Sequence, residues 1–148
     1  MSELMDLYQE VILDHTRKPR NFGSLDSATH RAEGDNPLCG DKVSVALELD
    51  GDVVRDIRFQ GKGCAISTAS ASMMTELLKG QKAALLATAF RQFQDLVTGQ
   101  AIEPPDDLGK LVAFAGVAAF PVRVKCATLA WHTAKAALEN RQQPVTTE

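Results

Sequence analysis

Three cysteines and one aspartate are the residues best placed to do chemistry in this chain. Cys39 and Asp41 stand two residues apart across Gly40 in the run Asn36-Pro37-Leu38-Cys39-Gly40-Asp41; Cys64 follows Gly61-Lys62-Gly63; Cys126 follows Arg123-Val124-Lys125. Thiolates and carboxylates are donors that four-coordinate zinc takes. A two-residue step across a flexible glycine lets Cys39 and Asp41 turn to one point, as alternate residues of a strand share a face. No C-x-x-C pair is present. Spacing therefore leaves two readings open: Cys39, Asp41, Cys64 and Cys126 as one metal site, or three buried structural thiols, since free cysteine is among the most buried residue types. Lys42, Lys62, Arg123 and Lys125 neighbour the donors. Cations there would offset the negative charge of the site and favour thiolates. Lys42 and Lys62 are equally well explained as solvated surface lysines.

Other chemistries have less support. His15, His30 and His132 are the histidines. His132 lies six residues beyond Cys126, which on a helix sets it far around the axis, a poor partner for shared ligation. Neither a phosphate-cradling glycine loop ending in Gly-Lys-Ser/Thr nor a dinucleotide fingerprint occurs. Ser67, Ser70 and Ser72 fall within a helical run and lack the strand-to-helix turn of a nucleophile elbow.

The elements that must position these residues can be read from periodicity. Leu4, Leu7, Tyr8, Val11 and Ile12 recur at helical spacing from about Glu3 to His15, with Ser2 as a candidate cap. Lys18 to Gly23 reads as a loop, and Gly34-Asp35-Asn36-Pro37 as a turn. Val43, Val45, Leu47 and Leu49 alternate as in a half-buried strand. Asp50-Gly51 signals a hairpin, and Val53, Arg55, Ile57 and Phe59 return. A third strand is expected near Ala28 to Glu33. Helices follow over Ala65–Lys79, Lys82–Thr98 and about Val124–Asn140, separated by Gly80, Gly99 and a break at Pro104-Pro105. All three cysteines thus fall at the ends of elements. Adjacent, hairpin-joined strands followed by helices predict an α+β fold, a small antiparallel three-stranded sheet packed against a helical layer.

The chain of 148 residues carries 16 Lys+Arg against 19 Asp+Glu, a formal charge of −3. Such a balance offers no general attraction to nucleic acid or acidic lipid. Three separated cysteines are too few for a secreted disulfide scaffold. The first fifteen residues lack a basic start and a small-residue cleavage site, and no apolar run reaches bilayer length. A single domain over 1–148 is expected, with a flexible polar tail from about 141, in the cytoplasm, without nucleic-acid or membrane partners.

Several segments together resemble the U-type iron–sulfur cluster assembly proteins. They are Leu7-Tyr8 through Asp14-His15 to Pro19-Arg20-Asn21-x-Gly23; Asn36 through Asp41; Gly61-Lys62-Gly63-Cys64-Ala65-Ile66-Ser67 with Ala69 through Met74; and Arg123-Val124-Lys125-Cys126-Ala127. The resemblance implies a SufE/NifU-like fold and puts Cys39, Asp41, Cys64 and Cys126 at the family's metal or cluster ligand positions, with Arg123 and Lys125 as supporting charge. Within that family, cluster-building scaffolds have a histidine immediately before the last cysteine, where this chain has Lys125. They also carry a Leu-Pro-Pro-type motif, where this chain reads Ala119-Phe120-Pro121-Val122. The helical segment around Lys82 to Gly99 resembles the insertion of the zinc-dependent sulfur-acceptor branch. The resemblance therefore implies a zinc-dependent sulfurtransferase partner of a pyridoxal-phosphate (PLP) cysteine desulfurase. Cys39 would be the sulfur acceptor, Asp41 the labile ligand, and an iron–sulfur scaffold or apo-proteins the recipients. The alternative it implies is a scaffold assembling a 2Fe–2S cluster on the same ligands.

Overall fold

The computed structural model describes residues 3–101, 106–140 and 144–147. Three strands form the centre: β1 (His30–Asn36), β2 (Asp41–Asp50) and β3 (Val53–Lys62). β1 pairs antiparallel with β2, and β2 with β3 through the Asp50-Gly51 hairpin; Gly51 takes the positive φ of +63° that such a tight turn requires. A two-residue strand β4 (Val145–Thr146) lies parallel to β1, opposite Gly34 and Asp35. The α+β class is as expected, but the sheet is four-stranded and mixed, in the order β3-β2-β1-β4, rather than three-stranded and antiparallel. The fourth strand comes from a short polar segment with no period of its own, paired only because the open edge of β1 offers it unfilled hydrogen bonds.

β1 also runs further than expected. Gly34-Asp35-Asn36 are turn-prone residues, yet they continue the strand. Packing overrides propensity here, because a Cβ at Gly34 would run into Thr133 Oγ1 and approach Leu129 Cδ1 at 3.2 Å. Glycine lets the backbone of β1 meet the helix that carries Thr133.

One face of the sheet, with Val43, Val45, Leu47, Ile57 and Phe59, is buried against helices α2 (Ala65–Leu78) and α4 (Pro121–Leu138). α4 begins three residues earlier than periodicity indicated, since Pro121 with its fixed φ fits a first helical turn and lacks only an amide that would be unpaired there. α3 (Leu85–Val97) starts three residues later than expected. Lys82 is instead bridged to Val53, with Ala83 N–H donating to Asp52 O. Phe93 of α3 stacks on Trp131 of α4 at 4.8 Å and meets Phe114 edge-on at 5.6 Å. Phe114 belongs to a 3₁₀ segment (Asp106–Ala119) bent at Gly109. The expected cap Ser2 and the Pro104-Pro105 break lie outside the described residues.

α1 (Glu3–Arg17) is fastened to α2 through His15. That ring is only 2% exposed, with Nδ1 2.7 Å from Ser72 Oγ and Nε2 3.4 Å from Glu76 Oε1. The Arg20 amide donates to the same Ser72 oxygen at 2.8 Å, so the hydroxyl proton is free to go to Nδ1 and Nε2–H faces Glu76. Burial is the main cause that lowers the His15 pKa, so the neutral ring is favoured.

Candidate metal centre

The ends of five elements come together: β1 at Asn36, β2 at Asp41 after the turn through Cys39, β3 and α2 at their junction around Cys64, and α4 in its first turns at Arg123 and Cys126. The 36–41 turn is closed by the Cys39 amide donating to Asn36 O, and Gly40 holds φ at +72°, a conformation costly for other residues. Cys39 and Asp41 thereby face Cys126. One donor atom from each of the three residues lies within 4.8 Å of the others, and the sulfurs of Cys39 and Cys126 are 3.2 Å apart.

Asp41 is buried with zero exposure, and its two oxygens have different surroundings. Oδ1 accepts the Cys64 amide at 2.9 Å. Oδ2 is buried and meets no donor in hydrogen-bond geometry, although the carboxylate lies close enough to Cys126 to help raise that thiol's pKa. Leaving a carboxylate oxygen without a partner costs about 1–3 kcal/mol or more, a cost a cation in the cluster would remove. Gly63 permits the approach; a Cβ there would sit 2.6 Å from Asp41 Oδ1.

Cys64 is near, but its sulfur lies outside the three-residue cluster. It caps the N-terminus of α2, accepting the Ser67 amide at 3.4 Å. The structure thus joins three of the four expected donors directly and ties the fourth residue in through its backbone.

Electrostatics favour a positive occupant. Burial, then the neighbouring Cys39 and Asp41, push the Cys126 thiol well above its ordinary pKa. Arg123 lies beside it, and its own pKa is raised by the Cys126 sulfur first and by the charges of Cys64, Cys126 and Cys39. Arg123 is exposed, so solvent screens its help, whereas a divalent ion among the donors acts at bond distance without that screening. Lys125 is half-buried one residue before Cys126. Of the two expected supporting charges, Arg123 is the one that interacts with the sulfurs. Asn36 adds a contact that sequence reading passed over as turn chemistry. It is fully buried, and its Nδ2 donates to Cys126 Sγ at 3.6 Å. The clue available was its place inside the first cysteine segment. Soft sulfurs, one hard oxygen with an unused lone pair and a cationic rim suit zinc, and thiolates equally suit iron–sulfur clusters.

Comparison with known proteins gives the arrangement a setting. The model of the NifU-like N terminal domain matches residues 7–127. The zinc-dependent sulfurtransferase SufU of Bacillus subtilis (strain 168) is 43% identical over 130 residues, 88% of each chain. The iron-sulfur cluster assembly scaffold protein IscU of Streptococcus pyogenes serotype M1 is 40% identical over 139 residues, 94% of this chain and 87% of that one. A crystal structure from Fervidobacterium islandicum AW-1, described as an iron–sulfur cluster assembly scaffold protein for the SUF system, superposes with a TM-score of 0.83 at 33% identity. It covers 93% of this chain and 99% of its own. No helix among the described residues is long and apolar enough to cross a membrane.

Proposed function

The chain belongs to the NifU-like N-terminal domain family, and from that premise we propose that it is a zinc-dependent sulfurtransferase serving iron–sulfur cluster assembly. It takes persulfide sulfur from a PLP-dependent cysteine desulfurase and passes it to a cluster scaffold or to apo-proteins. The observation that carries this reading is the meeting of Cys39, Asp41 and Cys126 around a buried carboxylate oxygen that has no hydrogen-bond partner. The zinc-dependent relative supports the choice of ion.

Cys39, Asp41 and Cys126 would hold zinc, with Cys64 the fourth ligand once its sulfur leaves the α2 cap. Bound zinc would keep these thiols deprotonated while lowering their nucleophilicity, and Asp41, the one oxygen donor, is the ligand most easily released. Cys39 is the acceptor. It is half-buried on a turn hinged at Gly40, whereas Cys126 is sealed within α4. In the transfer the Cys39 thiolate attacks the terminal sulfur of the desulfurase persulfide. A new S–S bond forms on Cys39, the old one breaks, and the desulfurase cysteine leaves as a thiolate. Arg123 supplies positive charge where negative sulfur accumulates.

Metal analysis of freshly purified protein, paired with a desulfurase turnover assay, tests the reading. Near-stoichiometric zinc, a rise in turnover that Cys39→Ser abolishes, and persulfide on Cys39 after rapid alkylation are expected. First label on another cysteine sinks the Cys39 assignment; unchanged turnover leaves only a zinc-stabilised interaction module. The second reading, a scaffold for a 2Fe–2S cluster, draws on the similarity to IscU and on the same thiolates. Anaerobic reconstitution giving a stoichiometric cluster that moves to an apo-acceptor, without stimulated turnover, selects it.

A further inference from the structure

We infer that Cys39 and Cys126 form a persulfide-resolving pair: when Cys39 carries a sulfane sulfur, Cys126 displaces it as hydrosulfide and closes a Cys39–Cys126 disulfide. The inference rests on the sulfur-accepting reading above and extends it, because it makes the chain a source of sulfide as well as a carrier of sulfane sulfur.

Geometry singles out this pair. The two sulfurs are 3.2 Å apart, so a disulfide of about 2.05 Å needs them to close by only about 1 Å. The movement can fall on Cys39, whose turn is hinged at Gly40, while Cys126 stays fixed in α4 beneath Asn36. Cys64 is worse placed. Its sulfur is engaged with the Ser67 amide and lies outside the 4.8 Å cluster.

The direction of attack follows from packing. Attack on the outer sulfur would move that atom onto Cys126, whose surroundings leave it no exposure at all. Attack on the Cys39 sulfur itself sends the outer atom away on the half-buried side and draws two existing atoms together, which a close-packed interior accommodates more readily. The step balances: the Cys126 sulfur, whose S–H is directed at Cys39, bonds to the Cys39 sulfur as its proton passes to the outer sulfur of the persulfide anion, the Cys39 S–S bond breaks, and the outer sulfur leaves as HS⁻. The sulfane is reduced by two electrons, and the two cysteine sulfurs are oxidised by one each. One turnover needs no other reductant; a second requires a dithiol to reopen the disulfide. Because both sulfurs belong to the proposed ligand set, the disulfide form and the metal-bound form exclude one another.

The test loads the purified full chain, its zinc first taken up by a chelator, with inorganic tetrasulfide, so that neither bound metal nor a desulfurase governs loading, and removes excess without reductant. Sulfide is measured as methylene blue while alkylated samples are mapped by mass spectrometry. Sulfide should appear one-to-one with a Cys39–Cys126 disulfide. Cys126→Ser should keep the persulfide on Cys39 and release at least tenfold less. A wild-type persulfide that persists without sulfide, or equal release from the variant, overturns the inference. Because the variant alters a buried position, the wild-type protein is also oxidised with diamide. Cys39–Cys126 should be the first disulfide mapped, and Cys39–Cys64 or only intermolecular bonds overturn the inference. Failure of a desulfurase to load Cys39 in a parallel sample would count against the sulfur-accepting reading alone.

Discussion

Asp41 shows how one side chain can serve both the fold and the site. Its Oδ1 holds the Cys64 amide, and its Oδ2 is left for the occupant. The two duties separate in Asp41→Asn, which keeps an oxygen for the amide but removes the charge. The metal-free variant should unfold within about 1 kcal/mol of the parent in urea, while zinc affinity in a chelator competition drops by about tenfold or more. A large loss of stability with unchanged affinity would make Asp41 structural. The donor set was readable because its four residues stand in segments that resemble the family's ligand motifs; spacing alone left buried structural thiols as an open reading, since cysteine is often buried and aspartate is common in turns and caps. Cys64 capping α2 and Asn36 donating to Cys126 were not readable, since both depend on which atoms the fold brings within reach. The unequal roles of Arg123 and Lys125 were hidden for the same reason: three residues before Cys126, Arg123 shares its helix face, whereas Lys125, immediately before it, points about 100° away.

At the scale of elements, the site depends on how α4 lies on β1. Gly34→Ala should push Thr133 away and cost about 1–3 kcal/mol. Thr133→Ala removes the obstructing hydroxyl, so the double variant should recover most of that loss in urea unfolding; strict additivity would mean that the contact is not the cause. This junction also explains the misread turn. Gly-Asp-Asn is turn-like on propensity alone, and only the helix above shows why a glycine sits within a strand. Alternation and the Asp-Gly hairpin made β2 and β3 legible, whereas β4 had no pattern to read. The α1–α2 fastening carries a pH dependence. His15 is lowered by burial first and by Arg20 and Lys110, against Glu76 and Asp14, which raise it. A histidine depressed in the folded state binds more protons when unfolded, so its stabilisation is present above the unfolded value of about 6.5 and is lost as pH falls toward the depressed folded one. Urea midpoints should therefore fall between about pH 7.5 and 5.5, and His15→Gln should flatten part of the slope. His132, also lowered by burial, retains the rest.

For the whole molecule, the core and the candidate metal centre are distinct. The core runs from Val45, Leu47 and Ile57 through Met74 and Leu129 to the Phe93–Trp131–Phe114 cluster, and none of these supplies a donor. Removing zinc should leave far-UV circular dichroism and cooperative unfolding intact. Restoring it to about a hundred times its dissociation constant should add about 2.7 kcal/mol. Collapse on chelation would mean that the ion holds the fold together. A quieter signal lies where Cys64 receives the Ser67 amide. If that sulfur must choose between helix and ion, the Ser67 proton becomes a natural reporter of occupancy. Its resonance should shift and its hydrogen exchange quicken as metal is added, while amides deeper in α2 stay unchanged. One backbone position would then read the state of the centre without a label.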